Sequence, residues 1–274
     1  MPQDVSQQDI SSRDAGRPDT GREVIFASEN VRVVRTPGRR TDVAFVTFEA
    51  HQINPPRDRQ GFGEKFLQDN GFTAYHLLAN DNFWFQYPEM EQVLAAVRAD
   101  VAPGTEIVAY GVSMGGYAAF RFAGLLGAAR VIAFSPQYSI DKKVTPWDKR
   151  WDRLFDRPRQ VLWEHLTTPR GVPIYLFYDP HNRDRHHVRL LAKEADVVRV
   201  RVPYAGHATI TVFMETGLLG RTILDIGENR FDVAACEREL KTHLERSPLY
   251  VAKRARKRDR LLRRLRADFI DWFG

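Results

Sequence analysis

Residues 106–126 read EIVAYGVSMGGYAAFRFAGLL, and within them Gly111-Val112-Ser113-Met114-Gly115 fits the Gly-x-Ser-x-Gly pattern that lifts a serine onto a sharp turn. The flanks give the pattern its context. Glu106 to Tyr110 is a short apolar run with strand character, and Tyr117 to Leu126 is rich in small, helix-compatible residues. Strand, turn and helix therefore follow in the order that such an elbow needs. A serine in a strained turn requires neighbours without Cβ atoms where strand and helix backbones approach, and Gly111 and Gly115 stand at those two places. The hydroxyl of Ser113 is then presented at the carboxyl end of a sheet, with the N–H of Met114 opening the helix towards a developing oxyanion.

A serine hydroxyl needs a histidine base, and the base needs a carboxylate to hold its tautomer. Downstream of the elbow come three more apolar runs: Val131 to Phe134, Pro173 to Tyr178 and Val197 to Val202. The second ends at Asp179-Pro180. The third is followed by Pro203-Tyr204-Ala205-Gly206-His207, which puts His207 in a loop behind a glycine just past the last strand.

The elbow, the acid after the penultimate strand and the Gly-His after the last one together resemble the α/β-hydrolase superfamily, over roughly residues 31–211. The resemblance implies a doubly wound, mainly parallel central sheet, with Ser113 as nucleophile, His207 as general base and Asp179 as orienting acid. Asp179 is preferred because it is tied most closely to the strand end. Asp184 follows in the same loop and is the alternative, with a helix cap or a solvated loop carboxylate as the role of whichever is unused. The resemblance also assigns the second oxyanion donor to the loop after the strand Asp42 to Ala50. That loop reads Ala50-His51-Gln52-Ile53-Asn54 in place of a lipase-like His-Gly-Gly, so the N–H of His51 or Gln52 is expected to join Met114. After the strand at Gly71 to Asn80, Asn82 and Trp84 stand at the height of the substrate pocket, unless Asn80 to Phe85 is simply a turn with its rings in the core.

The implied activity is a carboxylic-ester hydrolase that cleaves an ester or thioester through an acyl-enzyme. Bacterial relatives linked to glycan acylation or deacylation extend the expected substrates to glycan-linked acyl esters and make acyl transfer the alternative. A noncatalytic hydrolase-like module that binds through its basic tail is the reading from another class. No cofactor is implied. His181, His186 and His187 beside Asp179 and Asp184 fit no zinc spacing, and the elbow lacks the Lys-Ser or Lys-Thr of a phosphate-binding loop.

The chain has 274 residues with 43% hydrophobic content, enough for one α/β domain with extensions. Residues 1–22 are polar and expected to be disordered, 23–245 form the domain, and 246–274 a basic amphipathic C-terminal helix. Residues 136–171 exceed a simple crossover, interleave Trp147, Trp151, Phe155, Leu162 and Trp163 with basic residues, and read as a short helical lid, with a plain connection packed on the sheet edge as the alternative. Residues 253–266 hold nine Lys or Arg against one acid, a local charge of +8 where the whole chain carries +6, so the basicity is local. Segment 253–274 suits an anionic membrane surface, an acidic partner or docking on the protein's own surface, and it offers nucleic acid no recognisable module. The opening residues lack a secretion signal and Cys236 is single, so a cytoplasmic location, at most peripheral to a membrane, is the expectation, with Cys236 a packing residue.

Overall fold

The computed structural model describes residues 21–151, 161–166 and 170–259. An eight-stranded sheet runs through it in the order β1-β2-β4-β3-β5-β6-β7-β8. The strands are β1 (Glu23–Ala27), β2 (Val31–Thr36), β3 (Val43–Phe48), β4 (Thr73–Ala79), β5 (Glu106–Val112), β6 (Arg130–Phe134), β7 (Ile174–Tyr178) and β8 (Val197–Arg201). Strand β2 runs antiparallel to both β1 and β4, and every pairing from β4 to β8 is parallel.

The parallel strands carry apolar residues on both faces because helices cover both. Ala44, Val46 and Phe48 of β3 enter one core with Ala109 of β5 and Leu176 of β7, under the helices α2 (Met90–Asp100), α3 (Met114–Arg121), α4 (Ala123–Leu126) and α5 (Asp184–Glu194). Their sequence neighbours Val43, Phe45, Val108 and Phe177 enter the other core, with Leu67 of α1 (Glu64–Asp69), Phe213 of α6 (Thr209–Glu215), Ile223 of α7 (Leu219–Gly227) and Leu240 of α8 (Val233–His243). Phe134 of β6 stacks on Phe177 of β7 with ring centroids 4.1 Å apart, and Phe213 meets both rings edge-on. The alternation explains why these strands read as continuous apolar runs in the sequence.

The two strands that the apolar runs did not reveal, β1 and β2, form the sheet's outer antiparallel ribbon. β1 is largely exposed, and β2 interrupts its apolar residues with Arg32 and Arg35. The described part of 136–171 is built of turns and bends, and Trp151 and Trp163 pack it against the first of the two cores. Phe155, the expected tail disorder at 1–20 and the apolar stripe of 260–274 lie outside the described residues. A helical segment at 248–259 follows α8. Among the described residues, no helix is long and apolar enough to cross a membrane.

Candidate active site

Strand β5 ends at Val112, and the next residue, Ser113, has φ 55° and ψ −114°. A non-glycine residue there is strained by about 1–3 kcal/mol. Two approaches hold the turn in that state. A Cβ on Gly111 would lie 2.2 Å from the carbonyl oxygen of Gly115, and a Cβ on Gly115 would lie 2.0 Å from that of Phe48, so only glycine lets β5, α3 and the end of β3 meet. The Ser113 N–H is tied to the Phe134 carbonyl of β6 at 2.8 Å. The N–H of Met114 opens α3, in the turn whose donors have no intrahelical acceptor.

The loop after β8 brings His207 Nε2 to 2.9 Å from Ser113 Oγ, across a sequence separation of 94 residues. His207 Nδ1 lies 2.7 Å from Asp184 Oδ2. The preference for Asp179 as the partner of His207 is therefore corrected: the carboxylate at the ring is that of Asp184. Asp179, at the tip of β7, spends one oxygen on the N–H of His181 and the other on the N–H of Gly206, each at 2.8 Å. It braces the histidine loop from the neighbouring residue. Asp184 is the first residue of α5, and the turn from 179 to 183 carries it back beneath the imidazole.

Burial of Asp184 opposes its ionisation, but the hydrogen bond and charge of His207 and the charge of Arg150 outweigh it, holding the carboxyl below the usual carboxylate range. Arg150, from the segment expected to be a lid, pairs through Nη1 with Asp184 Oδ1 at 2.7 Å. Its Nε and Nη2 fork onto Asp148 at 2.8 and 2.7 Å. Asp148 also meets His187 Nε2 at 2.9 Å, and the Tyr138 N–H donates to His187 Nδ1 at 3.0 Å, which puts the ring proton on Nε2. Burial lowers the pKa of His187, and the ring is neutral. Desolvation also opposes ionisation of Asp148, but hydrogen bonds from His187 and Arg150 push its pKa far down.

Of the two oxyanion candidates in the loop after β3, Gln52 donates its N–H to Asn82 Oδ1 at 2.8 Å, while Asn82 Nδ2 returns a bond to the Gln52 carbonyl. Gln52 N–H is thus committed and His51 remains as the candidate to join Met114. The same pair of bonds uses one site at each end of the Asn82 carboxamide to clamp the loop, and the side chain is half-buried. A buried ion pair braces this loop further: Glu49 takes Arg59 Nε and Gln52 Nε2 on Oε2, each at 2.9 Å, and the Ala79 N–H and Arg59 Nη2 on Oε1, each at 2.5 Å. Trp84 is buried, with φ 48°, and its ring clusters with those of His51 and Trp151; the two indoles are 5.0 Å apart, and Trp151 is 6.0 Å from the ring of His207. Burial lowers the pKa of His51.

Sequence reasoning did not single out Gln137 or Arg150. Gln137 Nε2 lies 3.4 Å from Ser113 Oγ and 3.4 Å from His207 Nε2. The available signal was its position just past β6, the strand beside the elbow's own. His186 packs on Trp147 and His181 on Tyr204, and Cys236 is half-buried with its thiol pushed up to about 11 by burial. Among the described residues, no group of three or more His, Cys, Asp or Glu could hold a metal ion.

No protein-family profile matches the chain, and no curated protein does. Solved structures do. The capsule O-acetyltransferase of Neisseria meningitidis serogroup A is 14% identical with a TM-score of 0.52, covering 78% of this chain and 98% of that one. A putative esterase from Staphylococcus aureus is 14% identical with a TM-score of 0.50, over 81% and 88% of the two chains. Est1E from Butyrivibrio proteoclasticus, solved with ferulic acid, is 10% identical with a TM-score of 0.50, over 76% and 99%. At these identities the likeness is one of fold.

Proposed function

We propose, on the premise that this chain has an α/β-hydrolase fold, that it is a serine acyl hydrolase acting on esters or thioesters through Ser113, His207 and Asp184. The observation that carries the reading is the unbroken line from Ser113 Oγ to His207 Nε2 at 2.9 Å and from His207 Nδ1 to Asp184 at 2.7 Å. With the Nδ1 proton held by Asp184, Nε2 is bare and faces the hydroxyl, the arrangement of a general base. Ser113 attacks the acyl carbon while its proton passes to His207, and the N–H of Met114 with that of His51 receives the carbonyl oxygen as it becomes negative. His207 then protonates the leaving oxygen of an ester or the leaving sulfur of a thioester. Water, activated by the same ring, releases the acyl group.

A second reading keeps this chemistry and replaces water with a glycan hydroxyl. Its support is the half-buried Trp151, whose ring lies 6.0 Å from that of His207 and suits stacking on a sugar, together with the fold shared with a capsule O-acetyltransferase. Labelling by a fluorophosphonate tests the common core. Wild type should label and Ser113→Ala should not. Folded wild type that resists labelling and cleaves no p-nitrophenyl ester would favour a noncatalytic module. Acyl release with and without sugar acceptors then separates hydrolysis from transfer.

A further inference from the structure

Gln137 is 1% exposed, and its amide orientation follows from its other neighbour. The indole Nε1–H of Trp84 can only donate, and it lies 3.1 Å from Gln137 Oε1. The carboxamide oxygen therefore faces Trp84, and the NH2 faces Ser113 and His207. The indole is itself held firmly. Trp84 and Phe85 are consecutive non-glycine residues in the left-handed region, at φ 48° and 55°. Gln86 Nε2 donates to the Trp84 carbonyl at 3.0 Å, and Gln86 Oε1 takes the N–H groups of Leu162 and Trp163 at 2.8 and 3.0 Å. A strained turn, pinned by the covering segment, thus aims a donor that orients Gln137.

The Gln137 amide makes only long contacts with the reacting groups, and the lone pair of His207 Nε2 already receives the Ser113 proton. Both contacts, at 3.4 Å, are longer than an ordinary N–H···O bond and leave the donor weakly matched. An oxygen seated between Ser113 and His207 would satisfy it. Acyl transfer places an oxygen there twice: the leaving oxygen in acylation and the incoming water or alcohol in deacylation, because each exchanges a proton with His207 Nε2.

We propose that Gln137 is a catalytic residue that donates a hydrogen bond to this leaving or incoming oxygen, a role separate from the oxyanion hole on the carbonyl side. The inference rests on the Ser113 nucleophile proposed above. In acylation, the bond from the acyl carbon to the leaving oxygen breaks, His207 delivers its Nε2 proton to that oxygen, and Gln137 steadies the charge until the proton arrives. In deacylation, the incoming hydroxyl gives its proton to His207 as its oxygen bonds the acyl carbon, and Gln137 orients it. Trp84 acts through Gln137 and is a positioning residue.

The weight of such a donor depends on the leaving group, which a merely structural role would not reproduce. Gln137→Met, close in volume and without the amide, should lower kcat/KM about fivefold for p-nitrophenyl acetate, whose phenolate needs little help, and about a hundredfold for an alkyl acetate. A graded series of phenyl acetates should show the steepened dependence. Trp84→Phe, which lets the amide turn over, should show the same selectivity with a smaller loss. Fluorophosphonate labelling and the thermal midpoint of each variant report that Ser113, His207 and the fold remain intact. Equal losses across leaving groups, or none, in a variant that still labels would overturn the role of Gln137. Wild type that neither labels nor cleaves any ester would instead remove the Ser113 reading beneath it.

Discussion

At Ser113, the proposed mechanism requires the proton of His207 on Nδ1, the nitrogen that lies 2.7 Å from Asp184 Oδ2. Asp184→Asn keeps the shape but can hold the wrong tautomer, so kcat should fall about 10³- to 10⁴-fold with the fold intact by circular dichroism. Asp179→Asn should behave differently. It weakens the bonds to the His181 and Gly206 N–H groups, so turnover should stay within about tenfold of wild type while the thermal midpoint drops. If Asp179→Asn proved the more damaging to turnover, the assignment of the acid would fail. Gly115→Ala would drive a Cβ to 2.0 Å from the Phe48 carbonyl oxygen, a backbone atom that cannot turn aside. Urea unfolding should show a loss of about 1–3 kcal/mol or more. The elbow, its glycines and the histidine were legible in the sequence because each is a local pattern at a strand end. The choice between the aspartates was not, since it depends on where a turn of a few residues folds back. Gln137 and Arg150 were hidden for a related reason: they reach Ser113 and His207 across 24 and 57 residues, and apart from the place of Gln137 just past β6 nothing local marks the contacts.

Individual elements carry their own electrostatics. His76 of β4 sits between the hydroxyls of Thr36 on β2 and Thr47 on β3, at 3.2 and 2.7 Å, where burial above all pushes its pKa down to about 3. His187 of α5 is likewise depressed by burial. A folded pKa below the unfolded one means that the unfolded chain takes up the proton first, so stability is complete above about pH 6.5 and is lost as pH falls towards the folded value. Going from pH 7.5 to pH 5, His76 alone should remove about 2 kcal/mol of unfolding free energy, an order-of-magnitude figure for so buried a ring. Urea titrations at the two pH values check this: His76→Gln should shrink the difference, and an unchanged difference would refute the assignment. Asp148 and Asp184 act with the same sign at lower pH, since both carboxyls are held below their ordinary range and their contribution is lost as pH falls below about 4. Because both aspartates anchor Arg150, segment 136–151 should become protease-sensitive on acidification before the sheet does. The parallel strands were legible as apolar runs buried on both faces. β1 and β2 were not: β1 is a short apolar run, Val24 to Ala27, that ends up largely exposed at the sheet's edge, and β2 breaks its apolar residues with Arg32 and Arg35.

Across the whole molecule, the helical segment 248–259 packs on the loop that bears His207. The helical segment 248–259 buries Tyr250 against Tyr204, with ring centroids 5.9 Å apart, and Lys253 Nζ donates to the Ala205 carbonyl at 2.6 Å, two residues before His207. Burial lowers the pKa of Lys253 against the opposing pull of Asp179 and Asp184, so this amine sits within the field of both carboxylates. Ser247 prepares the approach by bonding Glu215 of α6 and capping the Tyr250 N–H. The sequence showed a basic amphipathic end but gave no sign that its first turns pack on the histidine loop, since the pairing joins residues 48 apart. Two truncations divide the segment. Ending the chain at residue 259 keeps Tyr250 and Lys253 and should leave kcat/KM within about twofold, whereas ending it at residue 247 removes both and should lower the thermal midpoint by about 2–4 °C for each kcal/mol lost. The shorter chain should also lose turnover, because the loop bearing His207 then loses the Lys253 bond to the Ala205 carbonyl and the Tyr250 ring against Tyr204. Lys253→Met in the full chain isolates the single contact. A kcat below wild type for Lys253→Met, with fluorophosphonate labelling slowed in parallel, would tie the chain's end to the position of His207; full activity in both Lys253→Met and the 247-residue chain would mean that the segment supports the fold without reaching the site.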